Sequence, residues 1–351
     1  MFTTQRSLSV RLGILALIAL AAGWCLAAQA ASRSTADVQG LYQGSGSDAA
    51  GSFQIEIRLV AQGGGAYNVF VRQTREGGKL ARAELKAKTE GPAVTLSGTA
   101  GGVPWKGAWA DGAIRGHVGA DGTFEARRVE PKPPSLGQKP PPGAVILLDG
   151  KDFSEMVLQR GGAWELDKLK IGADGSIQVP PGGMTSKRSF QGSYDLHVEF
   201  LVPLMPEAHG QARGNSGVFL TNSDEIQVLD SFGEPTYLGG GCGGIYAYKD
   251  PDAMETIESR KDNPQCRFSL AALPPLAWQT FDIQYRVDVR DGKPVGNPRV
   301  TVWHNGVKIH DNVELRGAMI PYSPKGKFHF QDHGNPVRYR NIWVLPVAAN
   351  K

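Results

Sequence analysis

Cysteine is scarce in this chain: three residues in 351, one of which, Cys25, falls within the first thirty. There is no CxxC pair, no HExxH signature, no P-loop and no serine in a nucleophile elbow. Zinc ribbons, zincin proteases, P-loop nucleotide hydrolases and α/β-hydrolases are thereby set aside. Charge of one sign is lacking too. Lys and Arg number 38 against 34 Asp and Glu, a formal net charge of +4. That is too weak to argue for nucleic acid or an anionic membrane as partner. Helical periodicity is hard to find, and the long apolar run, residues 12–26, is too short and too rich in small residues for an integral membrane span.

The start of the chain reads as a targeting signal over 1–30. Arg6 and Arg11 supply the positive end, residues 12–26 the apolar core, and Ala28-Gln29-Ala30 a small-x-small cleavage site. Export to the periplasm or beyond is the expectation. Trp24 is too bulky beside Cys25 for a lipid-attachment site. Removing two arginines and no acids takes the net charge from +4 to about +2. It also leaves Cys242 and Cys266, which in an oxidising compartment are most simply a disulfide. In the chain-entropy picture such a link contributes about 3 kcal/mol.

What the chain has in plenty is glycine, 45 residues, and proline, 23. Set among alternating apolar runs, they predict many short strands joined by turns. Over 36–130 the pattern is a small antiparallel all-β unit. Phe53-Gln54-Ile55-Glu56-Ile57-Arg58-Leu59 alternates strictly, Gly63-Gly64-Gly65 marks a turn, and Asp111-Gly112 turns a further hairpin. No carboxylate pair or cysteine occurs there, so a role in binding a glycan or a partner protein, or in spacing, is expected. Residues 131–143, with six prolines, read as an extended, semi-rigid linker. The second domain, 144–351, shows strand patterns at 194–202, 217–222, 225–229, 280–289, 299–304, 307–311, 327–332 and 337–345. His304-Asn305-Gly306-Val307 places a hairpin turn between two of them. So many strands in about two hundred residues predict a two-sheet sandwich.

Alternation then sorts polar side chains onto faces. Glu225 and Gln227 share one face of their strand, with Ile226 and Val228 on the other. In Phe328-His329-Phe330-Gln331-Asp332-His333 the phenylalanines point one way, and His329, Gln331 and His333 the opposite way. A face of amides, imidazoles and a carboxylate suits a hydrophilic ligand. Strict alternation sends Asp230 to the buried face unless a bulge intervenes. Each of these residues also has an ordinary structural explanation as a solvated or hydrogen-bonding side chain. The glycine run 239–244 opens no helix, so it reads as a tight loop rather than a phosphate cradle.

Several motifs occur in an order that resembles the 3-keto-disaccharide hydrolase domain family. They are Leu147-Leu148-Asp149-Gly150-Lys151-Asp152-Phe153, Gly214-Asn215-Ser216-Gly217-Val218-Phe219, Glu225-Ile226-Gln227-Val228-Leu229-Asp230-Ser231 and Cys242-Gly243-Gly244-Ile245-Tyr246. Val302-Trp303-His304-Asn305-Gly306 and the closing run Gln331-Asp332-His333-Gly334-Asn335-Pro336-Val337-Arg338-Tyr339-Arg340 complete the set. The resemblance spans about 144–346. It implies a concanavalin A-like jelly roll and cleavage of glycosides already oxidised to the 3-ketone. A ketone at carbon 3 acidifies the hydrogen on carbon 2; its removal gives an enolate that expels the carbon 1 substituent, and water adds later. Such chemistry needs a base and a donor to the enolate oxygen. On this sequence the resemblance implies Glu225 as base and His333 and Arg340 as donors. It implies sugar contacts from Asn215, Gln227, Asp230, Tyr246, Gln331 and Arg338. No cofactor is required, although structural calcium is common in that fold. The rivals are an ordinary retaining glycosidase, which needs two carboxylates about 5–5.5 Å apart, and a lectin-like module without catalysis.

Overall fold

The computed structural model of the protein describes residues 34–158, 169–221, 224–263, 265–291, 293–317 and 325–347. The export signal expected over 1–30 lies outside those residues. The described chain is all-β, in two cores joined by a linker.

The first core is a closed eight-stranded antiparallel barrel. Its strands run in meander order: β1 (Gly40–Asp48), β2 (Gly51–Ala61), β3 (Ala66–Thr74), β4 (Leu80–Glu90), β5 (Ala93–Ala100), β6 (Val103–Ala110), β7 (Ala113–Val118) and β8 (Gly122–Val129), with β8 returning to β1. Alternation does what the sequence asks. Phe53, Ile55, Ile57 and Leu59 turn inward with Tyr67, Val69 and Val71 from the next strand. The interior is filled rather than hollow: Trp109 Nε1 donates to Tyr42 Oη, which donates to the Val38 carbonyl. Asp111 and Gly112 both take positive φ, 49° and 74°, the conformation a two-residue hairpin turn needs.

The second core lies between two sheets that share one apolar interior. Its strands are β9 (Val145–Leu148), β10 (Met156–Leu158), β11 (Ile177–Gln178), β12 (Met184–Ser186), β13 (Phe190–Gln191), β14 (Tyr194–Leu201), β15 (Ser216–Phe219) and β16 (Glu225–Val228). They continue with β17 (Met254–Thr256), β18 (Arg267–Ser269), β19 (Trp278–Arg290), β20 (Lys293–His304), β21 (Val307–Glu314), β22 (Lys325–Gly326), β23 (His329–Phe330) and β24 (Arg338–Pro346). One sheet has the order β10-β12-β23-β15-β16; the other runs β11-β24-β14-β19-β20-β21, with β9 also on β24. Tyr339 of β24 bridges the interior, its hydroxyl 2.7 Å from Ser216 Oγ of β15. The expected turn at Asn305-Gly306 is present, with φ of 53° and 83°.

One expectation needs correction. Cys242 and Cys266 are free thiols, not a disulfide. Cys242 sits in the sandwich core beside His304, whereas Cys266 packs with Ile257 and Phe268 in a separate small cluster. Residues 131–143, the expected linker, carry no strand and are docked on the seven-stranded sheet. Ser135 Oγ bonds Thr280 and Asp282, Gly137 N–H donates to Glu199 at 2.5 Å, and the Gln138 carbonyl accepts from Asn341.

Candidate functional site

The outer face of the five-stranded sheet gathers the polar residues that alternation singled out. Directly opposed residues in antiparallel strands share a face. Glu225 stands opposite Phe219, Phe219 opposite His329, and His329 opposite Thr185. This is one row across four strands. A second row sets Gln227 opposite Gly217, whose carbonyl accepts from Gln331 N–H. The row between them, Ile226, Val218, Phe330 and Met184, points into the core. Glu225 and His329 are two strand spacings apart, roughly 9–10 Å, with the Phe219 ring between them.

Beyond β16 the segment carrying Tyr246 continues the ladder. Gln227 N–H donates to Gly244 O and Tyr246 N–H to Glu225 O, with Ile226 bridged to Ile245. Tyr246 therefore stands opposite Glu225 and starts from the same face.

Glu225 is the most perturbed acid of this face. Only 2% of it is exposed, and its Oε1 has no hydrogen-bond partner among the described residues. Burial pushes its pKa up from 4.5 to about 8. Gly217 is what gives the carboxylate its place, because a Cβ at that position would overlap Glu225 Oε1.

A net of amides flanks the carboxylate. Gln211 Oε1 accepts from Gln227 Nε2 and Asn215 Nδ2, both at 3.0 Å, while Gln211 Nε2 donates to Thr236 Oγ1 and Gly240 O. The Asn215 amide nitrogen is thus committed, and its buried Oδ1 has no partner among the described residues. Tyr237 and Tyr246 lie hydroxyl to hydroxyl at 2.6 Å. His329 donates from Nδ1 to Met184 O, its ring lies 5.2 Å from that of Phe219, and burial lowers its pKa.

Of the residues singled out by sequence, Glu225, Gln227, Asn215, Tyr246 and Gln331 belong to this face or its edge. Others do not. Arg340 lies on the outer face of the opposite sheet, donating to Glu199 at 2.8 Å and Asp174 at 3.0 Å and covering Trp278 at 4.0 Å. Arg338 shares that face and is tied to Ser176 and Lys170. Tyr339 between them points inward, so the sandwich, with its sheets about 10 Å apart, separates both arginines from Glu225. Asp230 is buried in an ion pair with Arg213 at 2.6 Å. His333 sits exposed in the turn after β23, where Asp332 accepts from Gly182 and Gly334.

Gln211, Tyr237 and His329 are the members that the sequence reading did not assign to the site. His329 was legible from alternation. Gln211 comes from a single 3-10 turn, Gly210–Ala212, and Tyr237 from a loop, neither with a period to read. Among the described residues, no group of three or more His, Cys, Asp or Glu side chains could hold a metal ion, and no helix is long and apolar enough to cross a membrane.

Two crystal structures of Parabacteroides distasonis proteins, each described as a candidate glycosyl hydrolase, align with 59% of this chain. One is 31% identical over 85% of its own length with a TM-score of 0.47; the other is 18% identical over 95% with a TM-score of 0.40. No curated protein matches the chain. Residues 143–345, more than half of the sequence, match the 3-keto-alpha-glucoside-1,2-lyase-like domain, and the chain belongs to that family.

Proposed function

We propose that this chain is an exported enzyme that cleaves glycosides whose sugar ring carries a ketone at carbon 3. Glu225 takes the carbon 2 proton, the electrons move onto the carbon 3 oxygen, and the enolate expels the carbon 1 substituent. Water then adds to the unsaturated sugar, so the net result is hydrolysis. The family description supports an elimination of this kind, and the two-sheet core is consistent with the jelly roll that the resemblance implies. The step so written requires no metal.

The observation that carries the reading is the buried Glu225 carboxylate with its unpartnered oxygen. A carboxylate brought to about 8 is roughly a thousandfold stronger as a base than an ordinary one. It matches the task of removing a proton already acidified by a neighbouring ketone, because an efficient base has its pKa near the working pH. Asp230, the second carboxylate that a retaining glycosidase would recruit, is consumed by Arg213. That favours elimination over double displacement.

The test mixes the protein with methyl 3-keto-α-glucoside and with methyl α-glucoside in D₂O and follows both by NMR. Cleavage of the keto form alone, with deuterium entering at carbon 2, is expected. The rate should climb with pH toward about 8 as Glu225 ionises. Glu225→Gln should lose roughly 10²–10⁴-fold in turnover while keeping its fold. Cleavage of the unoxidised sugar would overturn the reading in favour of an ordinary glycosidase, and binding without turnover in favour of a lectin.

A further inference from the structure

The proposed base is in place, but neither donor expected from the sequence stands beside it. Arg340 is across the sandwich, and His333 is in an exposed turn. A phenol pair occupies the position they leave open. Tyr246 stands opposite Glu225 in the ladder, on the same face, fixed by its own N–H on the Glu225 carbonyl at 3.0 Å. Its hydroxyl meets that of Tyr237 at 2.6 Å, with the two rings edge to face at 6.0 Å. Tyr237 is itself held: Gly240 allows its ring to lie against the backbone, where a Cβ would come within 2.8 Å of the ring, and Gly240 O is anchored by Gln211. One hydroxyl of the pair must donate to the other, which leaves a single proton directed outward.

Resting on the function proposed above, we infer that the Tyr246 hydroxyl is the donor that stabilises the enolate oxygen on carbon 3, with Tyr237 as the residue that positions and polarises it. A phenol suits the role. It donates a hydrogen bond without giving up its proton at neutral pH. A carboxylate base set beside a phenol donor is also a known solution for enolising a ketone. In the step itself the C2–H bond breaks and its proton goes to the Glu225 carboxylate. The bond pair forms C2=C3 while the C3=O electrons move to oxygen, where Tyr246 donates. When the enolate collapses, the C1–O bond breaks, its electrons leave with the aglycone oxygen, and the proton held by Glu225 closes the balance. The Tyr237 hydroxyl, backing Tyr246, shortens and orients the donor without touching the sugar.

The experiment measures deuterium exchange at carbon 2 and release of methanol from methyl 3-keto-α-glucoside, for the full chain and three variants. In Tyr246→Phe both rates should fall together by roughly 10²–10³-fold, as when one oxyanion donor is removed. KM should change little, because the bond strengthens only as charge develops. Tyr237→Phe should lose about tenfold in kcat at unchanged KM, a split that a purely structural role would not give. Thermal midpoints near the parent's are expected, since the pair is at the surface. If the parent and Tyr246→Phe exchange carbon 2 equally fast while Glu225→Gln is dead, the donor assignment is wrong and the base assignment survives. If the parent itself does not turn over the keto sugar, the underlying reading fails instead. A rise in KM alone for Tyr246→Phe would make it a sugar-binding group and overturn the donor role.

Discussion

The burial that fits Glu225 to its proposed role as base also costs the folded state stability as pH rises. Its pKa in the folded chain, about 8, lies above the 4.5 of the unfolded one, so the folded state binds the extra proton between those values. Stability is therefore whole below about pH 4.5 and falls as pH rises toward 8, by on the order of a few kcal/mol. Glu225→Gln removes the ionisation but keeps the shape. The variant should melt higher than the parent at pH 8 and at nearly the same temperature at pH 4.5, as thermal unfolding across that range would record. Equal midpoints for the two proteins at pH 8 would mean that the carboxylate is solvated after all. The face of Glu225 was legible because strand alternation is a local property, fixed by Ile226 and Val228 on either side of Gln227. Gln211 was not legible, since its only qualification is where a short 3-10 turn happens to bring it.

Among the elements, β24 and the docked linker teach most. Alternation tells that Arg338 and Arg340 share a face and Tyr339 takes the other, but not which face meets the second sheet. The answer lies in long-range packing: Tyr339 reaches Ser216, and the arginines are left outside. A bulge at Asn341, with φ of 45°, then turns its amide onto Glu199. The strand expected over 327–332 shrinks to His329–Phe330 because Asp332 begins a turn, accepting from Gly334 N–H. Proline density correctly denied the linker a place in a sheet, yet composition could not reveal its docking. Burial alone would raise the Glu199 pKa, but bonds from His197, Asn341, Arg340 and Gly137 outweigh it and hold it at about 2. The linker therefore leans on a charged acceptor, a bond worth about 1.5–3 kcal/mol. In Glu199→Gln, amide hydrogen exchange over residues 133–139 should quicken by roughly tenfold or more. Cleavage of the keto sugar should hold, because this network lies on the far side of the sandwich. Unchanged exchange would show that the Ser135 bonds, with Pro134 packed on Gly306, hold the linker without the charged acceptor.

For the whole molecule, two filled cores raise the question of what makes them one body, since each could hold its own fold. The disulfide expectation failed at this scale, because nothing local in the sequence says that Cys242 belongs to the sandwich core and Cys266 to the cluster facing the barrel. The fastening is done by buried arginines. Arg58 of β2 crosses from the barrel and donates to the carbonyls of Phe232, Ser269, Leu270 and Ala272 while lying over the Phe232 and Phe268 rings. Burial lowers its pKa to about 10, so it stays charged at neutral pH. Arg213 runs the other way, joining Asp230 to the Ala61 carbonyl at the end of β2. Arg82 and Arg72 both pair with Glu255, and Glu207 accepts from Gly64 N–H. Arg213 also follows Gln211 by two residues, so the barrel steadies the loop that orients the Asn215 and Gln227 amides. Arg58→Ala strips the donor from four carbonyls at once, those of Phe232, Ser269 and Ala272 buried, a loss of several kcal/mol placed wholly at the junction. Calorimetry should then resolve two transitions, one per core, where the parent gives one, and kcat/KM for the keto sugar should fall about tenfold as the loop loosens. A single unshifted transition with full activity would show the barrel to be a passenger on the sandwich.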